Sequence, residues 1–287
     1  MSEVVVFFLH GLAYAGLLFL VSSGLTLVFG MMNVLNFAHA SFYMLGAYLA
    51  FSIMKYSGSF WLALVLSPLV ILAIGALVEK FLLRRVHESG HVHELLLTFG
   101  LAYVIQEAVK FIWGTEPQAM TVSGFLASTV TLMGTTYPVY RLVIFCLALV
   151  VGILMALVLY KTRIGIIVRA AVDDSDMVGA LGINVPFYFM GVFAVGAALS
   201  AFAGVVAGPL LSVFPGMAEA ILIDAFVVIV VGGMGSLAGA VLASLIIGEL
   251  QSFGVLWFPD FSLVLIYLLM ALVLVLKPDG LLGEKKI

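Results

Sequence analysis

Nine apolar stretches run along the chain, parted by short polar gaps: residues 4–29, 34–54, 61–83, 94–113, 139–160, 187–211, 221–231, 236–253 and 261–276. Most are close to the length at which a helix rising 1.5 Å per residue crosses a hydrocarbon core of about 30 Å. Strands of a membrane barrel would instead alternate in polarity over about ten residues. The pattern predicts an all-α polytopic membrane protein, a single domain over residues 1–287 with about eight transmembrane helices. Residues 221–231 are too few for a full span. They read as a half-helix or as the end of a partly extended crossing.

Two stretches are interrupted by glycine: GLTLVFGMMNVLNFAHASFYMLGAY, residues 24–48, and DAFVVIVVGGMGSLAGAVL, residues 224–242. Irregular backbone at membrane depth is tolerated only inside protein or beside a water-filled cavity, and broken segments in two halves of a transporter point to its pathway. We therefore take Asn33, Asn36, His39, Ser41, Gly232, Gly233, Gly235 and Ser236 as candidates for a translocation pathway or gate. The bland alternative is that the glycines only permit close packing, and that His39 is a satisfied core histidine. Close packing is written elsewhere, in Gly196, Ser200, Gly204 and Gly208 and in Gly235, Gly239 and Ala243, whose spacing stacks small side chains on one helix face. A rigid bundle and a subunit seam would use such stripes equally. Asp224, at the head of the second stretch, reads as a helix cap. Glu107 and Lys110 read as a pair or as snorkelling ends. Glu249 has no role legible in the sequence.

Lys and Arg near segment ends set orientation. Lys80, Arg84 and Arg85 share one loop, Lys161, Arg163 and Arg169 another, and Lys277, Lys285 and Lys286 close the chain, whereas residues 114–138 hold no Lys or Arg. Lys55 breaks the pattern. The basic loops are expected in the cytoplasm, residues 114–138 and the N-terminus outside. A cytoplasmic C-terminus then requires residues 221–231 to help complete a crossing. The outer loop, with Pro117 and Pro138 near its ends, reads as a small hairpin or irregular cap.

Composition sharpens this picture. Of 287 residues 64% are hydrophobic and 9% charged, against about 25% charged in a soluble domain, and mean hydropathy is +1.29. The formal net charge of −3 says little, and no basic stripe for nucleic acid is present. Cys146 is the one cysteine and gives neither a disulfide framework nor a cysteine metal site. The start, Met1, Ser2 and Glu3, lacks the positive region of a cleaved signal, so the first apolar run is expected in the mature protein. His87, His91 and His93 with Glu88 and Glu94 superficially resemble metal ligands but lack the HExxH pattern, and we expect a solvated loop without metal. No GxxxxGK[ST] loop and no convergent acid, base and nucleophile occurs, so neither ATP hydrolysis nor other catalysis is expected of this chain.

One loop stands apart: KTRIGIIVRAAVDDSDMVGALGIN, residues 161–184, with three basic and three acidic side chains between long apolar runs. Asp173, Asp174 and Ser175 favour a helix start and Gly182 a stop, so residues 175–181 should form a short helix with Met177, Val178 and Leu181 on its apolar face. Two turns are marginal in water, and such a helix needs a surface to lie on. We read the chain as a transport pore worked by something that docks at this loop. A stand-alone secondary transporter or channel for a small polar solute is the alternative. The segments hold few ionisable groups to bind a coupling ion.

The interrupted stretch at residues 24–48 resembles the first signature of LivH-type permeases of branched-chain amino acid ABC importers. The likeness continues in RAAVDDSDMVGALGIN, VVGGMGSLAGAVLASLIIGE and the terminal KPDGLLG, in the family's order. The resemblance implies an ABC importer permease architecture in a bacterial inner membrane and a second, related permease. It also implies two cytoplasmic ATPases that hydrolyse ATP and an external solute-binding protein. The segment 161–186 would carry the coupling helix, with Arg169, Asp173, Asp174, Asp176, Met177, Leu181 and Gly182 meeting an ATPase. One departure is notable: the family often places Gly and an acidic residue after the Asn-Phe-Ala-His run, where this chain has Ala40 and Ser41. Ligand choice could therefore differ from leucine, isoleucine and valine, extending to urea, amides or other amino acids.

Overall fold

A computed structural model of the chain describes residues 2–32, 34–87, 89–132 and 134–283. The apolar stretches become helices, because backbone N–H and C=O groups at membrane depth must be paired within the segment. These are α1 (Ser2–Met32), α2 (His39–Ser57), α3 (Phe60–Val78), α4 (Arg84–His87), α5 (His91–Trp113) and α6 (Val139–Lys161). After them come α7 (Arg163–Asp173), α8 (Ser175–Ala180), α9 (Val185–Leu211), α10 (Met217–Gly232), α11 (Leu237–Trp257) and α12 (Ser262–Leu276). Among the described residues seven helices are long and apolar enough to cross a membrane, α3 being counted with its π-helical extension (Glu79–Leu83) and α4. The all-α polytopic fold expected from the sequence is thus present, with α2 and α10 beside the seven.

Side-chain chemistry fixes many helix starts. Ser59 accepts from the Leu62 N–H, Thr162 from Gly165, Asn184 from Phe187 and Ser236 from Gly239, each satisfying an amide the helix itself leaves free. Helix α1, apolar all round, lies at the centre between α9 and α11, as a helix without a polar face must. It runs antiparallel to α11: Ser252 donates to the Phe7 carbonyl at one end, and Gly235 meets Gly30 at the other. The stripe Gly196, Ser200, Gly204, Gly208 is a seam inside the chain and not a subunit surface. Gly196 faces Gly24, Ser200 donates to the His39 carbonyl at 2.6 Å, and Gly204 lies against Tyr43. Gly239 likewise closes on Gly232, and Ala243 is buried.

The basic clusters of residues 80–85 and 161–169 gather at one end of the bundle, whereas Lys55, Lys110 and Arg141 lie toward the other. Arg84 pairs with Glu79 at 2.9 Å and donates to the Pro186 carbonyl at the start of α9. The terminal stretch is at this end too, since Leu281 and Leu282 donate to the carbonyls of Val231 and Gly232. Lys285 and Lys286 lie outside the described residues. At the opposite end a two-stranded antiparallel hairpin, β1 (Thr129–Leu132) and β2 (Thr135–Pro138), fills the lysine-free outer loop, and Gln118 bridges to Val213. His10, near the start of α1, lies 5.1 Å from the Tyr137 ring and bonds Arg141 there. The short stretch 221–231 proves to be part of a longer α10 of 16 residues. Residues 212–216 precede it in non-helical backbone, completing the pass that a shared end for the terminus and the basic loops demands.

Three expectations need correction. The first stretch is not broken at its glycines: Gly24, Gly30 and Gly46 lie within helices, packed on Gly196, Gly235 and Ala201, and the interruption falls after Met32. Asp224 is not a cap. It sits inside α10 and accepts from the Tyr14 hydroxyl at 3.0 Å. The histidine loop is not simply solvated either. Glu94 is buried, with one oxygen on His87 Nδ1 and the other 3.3 Å from His91 Nδ1; Glu88 lies outside the described residues. Glu107 and Lys110 do pair, at 2.7 Å.

Candidate functional site

The first interruption turns the chain back into the bundle. Asn33 lies outside the described residues. Residues 34–38 are non-helical or turn, and α2 then starts deep beside α1, where His39 Nε2 donates to the Val21 carbonyl at 2.9 Å. The loose backbone is held from α5: the Phe37 N–H donates to Thr98 Oγ1 at 3.3 Å, and that hydroxyl lies 3.4 Å from the Leu35 carbonyl. Ser41 donates to the Ala102 carbonyl at 3.4 Å.

Asn36 and His39 are both buried, yet among the described residues Asn36 Oδ1 and His39 Nδ1 have no hydrogen-bond partner, and neither does Thr26 Oγ1 on α1. An unpaired buried polar group costs about 1–3 kcal/mol. Three of them around one interruption are therefore a local weakness that a moved backbone or an entering water relieves. His39 is a packing residue on one nitrogen and an open acceptor on the other.

The second interruption is made by glycine. Helix α10 ends at Gly232, and Gly233 and Gly235 take φ of +108° and +86°, in the region L side chains avoid. Ser236 then caps α11 by accepting from Gly239 at 3.0 Å. The two interruptions are neighbours, because Gly235 packs on Gly30 near the end of α1. His39 is not at that junction: Val21 lies nine residues before Gly30, about 13 Å along the helix. The pathway candidates thus form a column and not a cluster.

Thr26, Thr98 and Ser200 carry no signal of a site in the sequence: they are ordinary hydroxyls, and the interruption backbone that Thr98 and Ser200 hold lies 61 residues or more away. The terminal KPDGLLG closes over the second interruption, with Gly280 and Gly283 against Gly233 and Lys277 Nζ donating to the Leu281 carbonyl at 2.6 Å.

At the basic end, Asp174 caps α8 by accepting from the Met177 N–H at 2.9 Å, and Gly182 ends it at φ +83°. The expected apolar face divides. Val178 is buried with Ala171 and Val185, while Met177 and Leu181 are 61% and 73% exposed. Asp173 and Asp176 are exposed beside them. Arg169 turns away, bonding the Leu159 carbonyl and covering the Tyr160 ring. Between α8 and α4 lies a cavity of about 560 Å³ lined by Met32, Arg84, His87, Asp176, Asn184 and Phe189.

Several known proteins are similar to this chain in sequence along most of its length. A permease protein BraD from Pseudomonas aeruginosa, of a high-affinity branched-chain amino acid transport system, is 29% identical, over 97% of this chain and 95% of its own length. The LivH permease protein of Escherichia coli K12 is 28% identical over 100% and 99%. A probable LivH from Methanocaldococcus jannaschii is 27% identical over 83% and 77%. No solved structure matches. The family described as the permease component of branched-chain amino acid transport systems matches residues 7–274. A multi-pass bundle with two interruptions and an exposed capped helix at its basic end accords with that description, and the chain belongs to this family.

Proposed function

We propose that this chain is one of two membrane-spanning permease subunits of an ATP-driven importer in a bacterial inner membrane, and that it passes branched-chain or related amino acids. The named relatives support the cargo class. Two cytoplasmic ATPases grip α8 and supply the force of ATP hydrolysis. A solute-binding protein delivers the amino acid at the hairpin end. The second permease is a related chain or another copy of this one.

One observation carries the mechanical part: α8 offers Met177, Leu181, Asp173 and Asp176 to solvent while Val178 ties it to α7 and α9. A push on its exposed face passes through Val185 into α9, whose Ser200 holds the His39 carbonyl at the first interruption. Thus Asn33, Asn36, His39 and Ser41, with Gly232, Gly233, Gly235 and Ser236, serve as the gate. Asp173, Asp174, Asp176, Met177, Leu181 and Gly182 form the docking element, with Arg169 bracing it on α6.

Reconstitution tests this reading. Proteoliposomes holding both permeases, the ATPases and the binding protein should take up leucine only with ATP. Uptake by the purified chain alone, driven by an ion gradient, would overturn it.

A further inference from the structure

Most of the bundle's exposed surface suits lipid. The exposed side chains of α3 and α12 are apolar apart from Tyr267, as are those of α6 before Lys161 apart from Tyr160 and Cys146. The face shared by α5 and α10 differs in three independent ways. First, Gln106 Nε2 donates to Glu219 Oε1 at 2.8 Å on the exposed surface. Glu219 is in the first turn of α10 and Gln106 near the outer end of α5, so this pair stands at the mouth of the face, where the exposed surfaces of α3, α6 and α12 show no carboxylate.

Second, the first interruption opens here. Leu35 is 39% exposed, and the Phe37 ring lies 6.2 Å from Phe99 of α5 and 5.6 Å from Phe226 of α10. Non-helical backbone is not left against lipid. Third, α10 shows Glu219, Ile223, Phe226 and Val230 at helical spacing toward this face. Beside it α5 shows Phe99 and Tyr103, whose rings are 5.0 Å apart. A carboxylate and an amide therefore stand at the hairpin end of an aromatic and aliphatic ramp.

We propose that this face is the water-lined wall of the translocation path, and that Glu219, held by Gln106, receives the ammonium group of an amino acid whose apolar side chain passes over Tyr103, Ile223 and Phe226. The identity of what passes rests on the importer reading above; the wetness of the wall does not. Near the mouth Glu107 is neutralised by Lys110, whereas the partner of Glu219 is the uncharged Gln106, so Glu219 keeps its charge for a cationic group.

Cysteine reactivity decides the question. In a Cys146→Ser background, single cysteines are placed at Tyr103, Ile223, Leu154 and Leu268 of the chain within its complete importer. Right-side-out and inverted membrane vesicles are then treated with a charged, membrane-impermeant methanethiosulfonate. Thiols in apolar surroundings stay protonated and inert, so positions 103 and 223 should react at least about tenfold faster than 154 and 268. Equal rates would overturn the wall, whatever the importer does with ATP. For the ammonium contact, Glu219→Gln should raise the KM for leucine uptake about tenfold with little change in kcat. An unchanged KM would remove Glu219 from the path and leave the labelling result standing. Failure of ATP-dependent uptake in the parent importer would strike the importer reading alone.

Discussion

A methyl group added at Gly204 would sit 2.0 Å from the carbonyl oxygen of Tyr43, where neither α9 nor α2 can give way without parting. Gly191, about 20 Å nearer the start of the same α9, would meet nothing within 4 Å. The pair separates packing from propensity. Gly204→Ala should destabilise the bundle by about 1–3 kcal/mol through overpacking. Gly191→Ala should be neutral or stabilise by up to about 1 kcal/mol, since glycine is the poorer helix former. Thermal unfolding of the two variants in detergent checks the contrast. Gly233 belongs to a different class: its φ of +108° resists any side chain, and a Cβ there would lie 2.4 Å from the Gly283 nitrogen. Gly233→Leu should therefore abolish uptake while the rest of the bundle still folds, read as transport in cells against protein recovered from membranes. Normal uptake by that variant would take the second interruption out of the moving pathway.

Helix α8 holds its shape by one cap and its place by one buried side chain. Asp174→Ala removes the acceptor of the Met177 N–H and should cost about 1 kcal/mol of local stability. Asp173→Lys with Asp176→Lys leaves the cap and Val178 intact, reverses charge on exposed positions only, and should reduce ATPase co-purification about tenfold without lowering the melting temperature. Co-purification at the parent level would remove α8 from the docking interface. Elements of this kind were legible because length, capping residues and charge are local properties of sequence. The same locality explains the misreadings. Asp224 looked like a helix start because the apolar run begins beside it, whereas α10 already begins at Met217, carried by a non-helical approach that hydropathy does not mark. Glycines in the first stretch looked like the break because their partners, Gly196, Ala201 and Gly235, lie more than 150 residues away. The sequence marked polar residues and glycines at two interruptions, but neither their arrangement as a column nor the supports Thr98 and Ser200 could be read there, since nothing near those hydroxyls signals what they hold.

Across the whole molecule, residues 277–283 are fastened to the second interruption. The carbonyls of Val231 and Gly232, in the last turn of α10, are free of partners within that helix and accept instead from Leu281 and Leu282 at 2.8 and 2.9 Å. Gly280 and Gly283 crowd Gly233 so closely that the terminal segment and the second interruption must move together or separate. A chain stopped after Asp279 would leave both carbonyls unpaired at the basic end, costing about 1–3 kcal/mol for each one that water does not reach, and would free Gly233 from its cover. If the segment merely seals α10, the truncated protein should melt earlier and, at temperatures where it stays folded, take up leucine as the parent does. If it transmits force, uptake should fall while ATP hydrolysis by the bound ATPases continues, so that more ATP is consumed per leucine imported. The geometry favours the second outcome: α8 is tied into α9 through Val185, α9 into the first interruption through Ser200, the first interruption to the second through Gly30 and Gly235, and the second to the terminal segment. A ratio of ATP hydrolysed to leucine imported that is unchanged by truncation would break that series at its last link.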